Sequence, residues 1–315
     1  MDGPENIWDR QLVLVTGKGG VGKTTVAAAM ALAAQRAGRR VLLGEVTPDS
    51  KERSNLLELF GEPRPRGEAP VELMSGLDGV LITPPAGHRL ILRAALKVGM
   101  VADAAMRSAA LNRFLMAAPA FPEIGTLYQI VHLLRANKWD NIVLDLPATG
   151  HALGLASLPR TVLRIVPVGM IGEAIREGLD AMTNPDRGGA VVVTLPEDMP
   201  VTESLELAAG LGKLSVPIRA MVLNQMPHFP FSTEEMDAVD QHLAERADVD
   251  PLLLGSREFR RLQRALSARA RFRAETPSGV AKAEFDKLND RSPVDVVHHL
   301  AERFAARTDP GGGAA

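Results

Sequence analysis

The chain has no cysteine among its 315 residues. Disulfides, thiolate nucleophiles and every zinc or soft-metal site built on sulfur are thereby excluded. Aromatic residues are scarce too, at 4% against 46% hydrophobic overall, so the apolar surface comes from Ala, Val, Leu and Met, side chains that suit helix-rich packing. Neither sign of charge is in surplus. The 36 Lys and Arg nearly balance 38 Asp and Glu, and a net charge of -2 gives no general attraction to nucleic acid or acidic lipid. No run approaches the roughly 18 apolar residues of a membrane helix. The N-terminal stretch MDGPENIWDR carries three acids and no apolar centre, unlike a secretory signal. Together these absences predict a soluble, cytoplasmic protein with no nucleic-acid partner and no integral membrane segment.

What is present predicts an α/β protein with a doubly wound parallel sheet. Gln11 to Thr16 is a short β-branched apolar run, followed by a glycine-rich turn and the helical stretch VAAAMALAAQRAG, which stops at Gly38. Arg40 to Glu45 reads as a second buried strand, completing a βαβ unit. Further strands are predicted at 79–83, Asn141 to Asp145, Ala190 to Thr194 and Ile218 to Asn224. Helices are predicted at 233–247, 257–270, 280–288 and 293–306. At 33.7 kDa, one large domain over residues 8–307 fits, with a disordered tail at 308–315. About ninety residues separate the second strand from Asn141, far more than a crossover needs. They imply an α-helical insertion at about 85–138, with a second Met-rich helical stretch at 168–184. Leu and Met recur there at mixed three- and four-residue spacing, which fits amphipathic helices and is compatible with either a docking groove or plain core.

The chemistry is concentrated in Gly17-Lys18-Gly19-Gly20-Val21-Gly22-Lys23-Thr24-Thr25. This matches G-x-x-x-x-G-K-[ST], and it stands between an apolar strand and a helix, where the phosphate-binding mechanism demands it. Glycines let backbone N–H groups approach phosphate oxygens, and the helix N-terminus adds a positive dipole. Lys23 is expected on the β- and γ-phosphates of ATP, Thr24 on Mg²⁺ and Thr25 on the α-phosphate. Lys18 is a second cation that the loop does not need for its own fold. It reads either as a solvated lysine or as a charge delivered to phosphates across a dimer interface. Asp145 closes its strand where an acid can reach Mg²⁺ through water, although such residues often serve as helix caps. The following Leu146 to His151 has the composition of a mobile turn.

The loop with its extra lysine resembles the deviant phosphate loops of the MinD/ParA-type ATPases. Three stretches, Asp145 to His151, Thr194 to Glu203 and Val222 to Gln225, resemble more narrowly the arsenical-pump and tail-anchored-protein-targeting ATPases. The resemblance runs from about residue 11 to 265. It implies a dimer closing around two ATP molecules and a helical subdomain that moves with the nucleotide. It also implies that Lys18 crosses the interface, Asp145 sits in switch II, Asn224 bonds the adenine edge, and Pro196 and Glu197 lie near the dimer contact.

One departure bears on turnover. Family members carry an aspartate after the second strand that polarises the attacking water; here the stretch is Glu45-Val46-Thr47-Pro48-Asp49-Ser50, with Thr47 in its place. Asp49 or Glu45 must substitute, or hydrolysis must be slow. The paired-cysteine zinc motif of many targeting members is also missing, so a dimer would be held by protein contacts and ATP or ADP. Three functions follow: a homodimeric or heterodimeric ATPase gating a hydrophobic surface for a helical client; a nucleotide-dependent scaffold with weak hydrolysis; and an arsenite-efflux subunit. The last is disfavoured by the absence of thiols.

Overall fold

A computed structural model describes residues 10–47, 53–62, 69–96, 108, 113, 117, 120–165, 167–245 and 254–308. Its centre is an eight-stranded sheet: β1 (Leu12–Gly17), β2 (Val41–Val46), β3 (Val71–Met74), β4 (Leu77–Ile82), β5 (Asn141–Asp145), β6 (Gly188–Thr194), β7 (Ile218–Met226) and β8 (Ala281–Asp286), in the spatial order β3-β4-β2-β5-β1-β6-β7-β8. Every pairing is parallel except β3 with β4. Strands β1, β2, β5 and β6 are buried along their whole length, which is why they read as unbroken apolar runs rather than as alternating ones.

The sheet is covered on both faces. Helix α1 (Lys23–Arg36) packs on one face with α2 (Asn55–Glu58) and α10 (Pro293–Thr308), whose Val297, Leu300 and Phe304 are buried. The other face carries α4 (Phe121–Arg135), α5 (Thr149–Ile165), α6 (Gly169–Thr183), α7 (Asp198–Lys213) and the buried Ala268 and Phe272 of α9 (Leu254–Glu275). Helix α3 (Pro84–Leu96) packs along α4, while α8 (Thr233–Glu245) leads from β7 toward α9. The last helix docks on the domain through these apolar side chains.

Two sequence expectations are corrected. Residues 280–288, predicted as a helix, contain β8. Ala283 and Phe285 are buried while Lys282 and Asp286 are exposed, so the burial period is two. Ala, Lys and Glu are helix formers, and pairing with β7 overrides that propensity. Leu146 to His151, predicted as a mobile turn, already contains the start of α5 at Thr149. Strand β3, the antiparallel edge, was not anticipated at all. The tail at 309–315 and most of the span 97–119 lie outside the described residues.

Chain order decides where a ligand can sit. From β1 the chain crosses to β2 on one side, while β6, β7 and β8 extend the sheet on the other. The C-terminal end of β1 is thus the switch point of a doubly wound sheet, and the crevice for a ligand lies outside it.

Candidate functional site

The loop between β1 and α1 occupies that switch point. Gly17 has φ of 148°, and a Cβ there would stand 2.2 Å from the Val193 carbonyl oxygen on β6. Gly22, the residue capping α1, has φ of 89°, and its Cβ would meet Asn224 Nδ2 at 2.4 Å. Both positions need glycine for conformation and for space. Asn224 is itself buried at the end of β7, and its Nδ2 donates to the Val21 carbonyl at 2.9 Å. The loop is therefore clamped by neighbouring strands rather than left free. Val26 N–H is the first helical amide, bonded to Gly22 O at 3.0 Å, and no side chain caps the turn before it. The amides of Lys23, Thr24 and Thr25 are the orphan donors of a helix N-terminus, the elementary anion site of a protein.

Side chains complete the cradle. Thr24 Oγ1 donates to Asp145 Oδ2 at 2.7 Å, joining the start of α1 to the end of β5 across 121 residues of sequence. The Val15–Asp145 pairing of β1 with β5 fixes this register. Lys23 Nζ donates to the Lys18 carbonyl at 3.0 Å. Burial pushes its ammonium below the ordinary 10.5, with the Asp145 charge opposing the shift. A partly dehydrated cation over a nest of amides is arranged for a polyanion. Lys18, by contrast, pairs in its own chain with Glu203 of α7 at 2.9 Å, both side chains partly exposed. Beside Gly22 and Thr25 opens a cleft of about 170 Å³, floored by Asn224 and Gln225 and walled by Asp286, Lys287 and Leu288.

A profile of the anion-transporting ATPases matches residues 10–172. The ATPase BagA of Mycobacterium tuberculosis is 30% identical over 244 residues, 74% of this chain and 70% of that one. The chain belongs to the anion-transporting ATPase family. It is also 27% identical to the arsenical pump-driving ATPase of Escherichia coli over 71% of its own length, though over only 40% of that protein, and 24% identical to the ATPase ASNA1 homolog of Dictyostelium discoideum over 68% and 71% of the two chains.

Within this member of the family the predicted site residues separate into two groups. Gly17 to Thr25, Asp145 and Asn224 meet at one end of the sheet. Pro196 and Glu197 follow β6 at the same end, with Pro196 buried and Glu197 exposed at the start of α7. The acids proposed after β2 are placed differently. Glu45 is buried, and its Oε2 accepts from Ser54 Oγ at 2.5 Å and from Leu56 N–H at 3.4 Å, so it anchors the start of α2. Thr47 is 2% exposed, with its N–H bonded to Ile82 O at 3.0 Å. Asp49 lies outside the described residues.

Sequence reasoning gave no role to Glu203 or Gln225. Glu203 ends one of the stretches that carry the family resemblance, but nothing in sequence places it 185 positions back beside Lys18. Gln225 has φ of 58° where the β7–β8 register shifts, a bulge that turns it toward the cleft. Among the described residues no cluster of acids and imidazoles could hold a metal by itself. None of the described helices is long and apolar enough to cross a membrane.

Proposed function

We propose that the chain is a Mg²⁺-dependent ATPase that works as a dimer, its closure around nucleotide shaping an apolar helical surface for a client helix. The observation that carries the reading is the 2.7 Å contact of Thr24 with Asp145 beneath a glycine-built anion nest. A hydroxyl and a carboxylate in contact are the hard oxygen donors Mg²⁺ prefers, and the ion, when bound, neutralises charge on the β- and γ-phosphates. Lys23 would leave its own loop carbonyl for the phosphates. Thr25 and the amides from Gly19 to Gly22 would line the triphosphate, and Asn224 would stand beside the base. Lys18 would exchange Glu203 for the partner's nucleotide. Met199, 65% exposed in the first turn of α7, sits with Pro196 and Glu197 at the same edge and supplies apolar area for that contact.

Support for a client surface comes from the tips of two helices. Both α4 and α6 lead into the starts of parallel strands and pack against each other, so their N-termini lie at one end. There Phe121 is 40% exposed, Val168 75% and Met170 41%. Large apolar groups gathered at one place on a surface mark contact sites. Phe121 opens α4 within the segment 85–138, and Val168 and Met170 begin the segment 168–184; we assign the two segments to one helical subdomain inserted in a single ATPase domain.

Sedimentation of the purified chain with Mg²⁺ and a nonhydrolysable ATP analogue tests the dimer. At a salt concentration that screens surface ion pairs, doubling of mass on adding the nucleotide, abolished by Lys18→Ala, is the expected result. A monomer at saturating nucleotide would sink the closure mechanism. A second reading, a nucleotide-dependent scaffold with slow turnover, is favoured by Thr47 and by the engagement of Glu45 at α2. Single-turnover hydrolysis separates the two.

A further inference from the structure

Helix α9 carries seven arginines, and they fall into two sets. In its C-terminal half each is answered within the fold: Arg269 and Arg273 hold Glu284 of β8, and Arg271 holds Glu275 and donates to Thr202. In the N-terminal half Arg257, Arg260, Arg261 and Arg264 lie on one face at spacings of three and four, all exposed. Glu258, 3.5 Å from Arg261, is the only carboxylate that any of these four meets among the described residues. Four like charges within about 10 Å of helix repel one another, and among the described residues that single exposed pair is the only charge that offsets them.

Helix α8 is its counterpart. It holds five acids and no lysine or arginine. Glu235 is used in a reciprocal cap with Ser232, but Glu234, Asp237 and Asp240 are exposed. They span about 9 Å of helix, close to the length of the arginine row. Among the described residues no ion pair joins α8 to α9 within the chain, although Phe231 and Phe259, 6.5 Å apart between ring centroids, bring their beginnings together. Because α9 ends where β8 starts, its arginine half lies toward the opposite end of the sheet, where β7 finishes and the phosphate loop sits.

We propose that the arginine row of α9 docks the acidic face of α8 from a second copy of this chain. A two-fold axis would make the contact twice, α8 to α9 and α9 to α8, as an isologous interface requires. Guanidinium forks match carboxylates in pairs, whereas a lipid surface would also need apolar side chains flanking the row, and the described residues around it are Glu258, Gln263 and Ser267. The contact needs no nucleotide, so it is independent of the ATP-driven closure above and would hold two copies together before ATP arrives.

The test is a charge exchange in the full-length protein. At low salt and without nucleotide, sedimentation should give a dimer that dissociates as salt rises. Arg260→Glu with Arg264→Glu, or Asp237→Lys with Asp240→Lys, should each give a monomer with unchanged thermal melting, since all four side chains are exposed. Mixing the two variants should restore the dimer mass. A wild-type monomer at low salt, variants that keep the wild-type mass, or a mixture that stays monomeric would each overturn the proposal. So would loss of binding to anionic vesicles or to an oligonucleotide in the arginine variant with self-association intact. Failure here with an ATP-dependent dimer preserved would leave the proposed function standing, while the reverse pattern would remove that function and keep this contact.

Discussion

Two segments leave the same end of the sheet from the parallel strands that flank β5, and they are built very differently. After β1 the chain forms a turn in which almost every group is fixed: Gly17 against Val193, Gly22 against Asn224, Thr24 on Asp145 and Lys23 on its own loop. After β2 the acid within reach, Glu45, is committed to Ser54, and the residue where a water-polarising aspartate would stand is the buried Thr47. On the reading proposed above, holding a triphosphate and splitting it rest on separate parts of the molecule. The first part is fixed by its own geometry, while the acid proposed for the second, Asp49, lies outside the described residues.

That contrast can be broken at several points. The largest effect is expected from Gly17→Ala. The new methyl would press on a backbone carbonyl in the neighbouring strand, at a φ that L-residues avoid, and stability should fall by about 3 kcal/mol in chemical denaturation, with nucleotide binding lost as well. A variant as stable as the parent would show that the loop is not clamped as described. Asp49→Asn should lower single-turnover hydrolysis about 100-fold with Mg²⁺-ATP affinity unchanged. If both parameters stayed at parental values, the division between holding and splitting would be misassigned. Glu45→Gln should do the opposite, costing about 1–2 kcal/mol of stability through the weakened bonds at α2 while bound ATP turns over at the parental rate. A rate loss with normal stability would return Glu45 to the chemistry.

The smallest effect concerns the helical side. His88, in α3, is 3% exposed, and its Nε2 donates to the Phe121 carbonyl at 2.7 Å. Burial pushes it below the usual 6.5, so the unfolded chain takes up a proton at a pH where the folded one does not. Stability that is full above 6.5 should therefore decline as pH falls through and below that value, by at most about 1.4 kcal/mol per pH unit. His88→Gln should flatten this part of the profile. A parental slope in that variant would assign the effect to other groups.

How much of this was legible in the residues follows from the range of the interactions involved. The central strands announce themselves because burial on both faces leaves only apolar residues, and the phosphate loop because its glycines are local necessities. Asp145 could be placed because a single strand end carries it. The edge was harder: Ala281 to Asp286 has helix-favouring composition, and only pairing with β7 makes it a strand. Gly150 and Pro159 disguise α5, whose packing against α6 keeps it helical. The tethering of Lys18 to Glu203 and of Glu45 to Ser54 is tertiary, so sequence could nominate both residues for chemistry without revealing that each already has a partner at home.

The most direct test of the account is calorimetric titration of Mg²⁺-ATP into the parent chain and into Lys23→Ala. Saturable binding by the parent, weakened at least about 100-fold in the variant by loss of a dehydrated cation facing phosphate, is the predicted result. Equal affinity in the two proteins, or no binding by the parent, would contradict the claim that this loop is where the nucleotide is held.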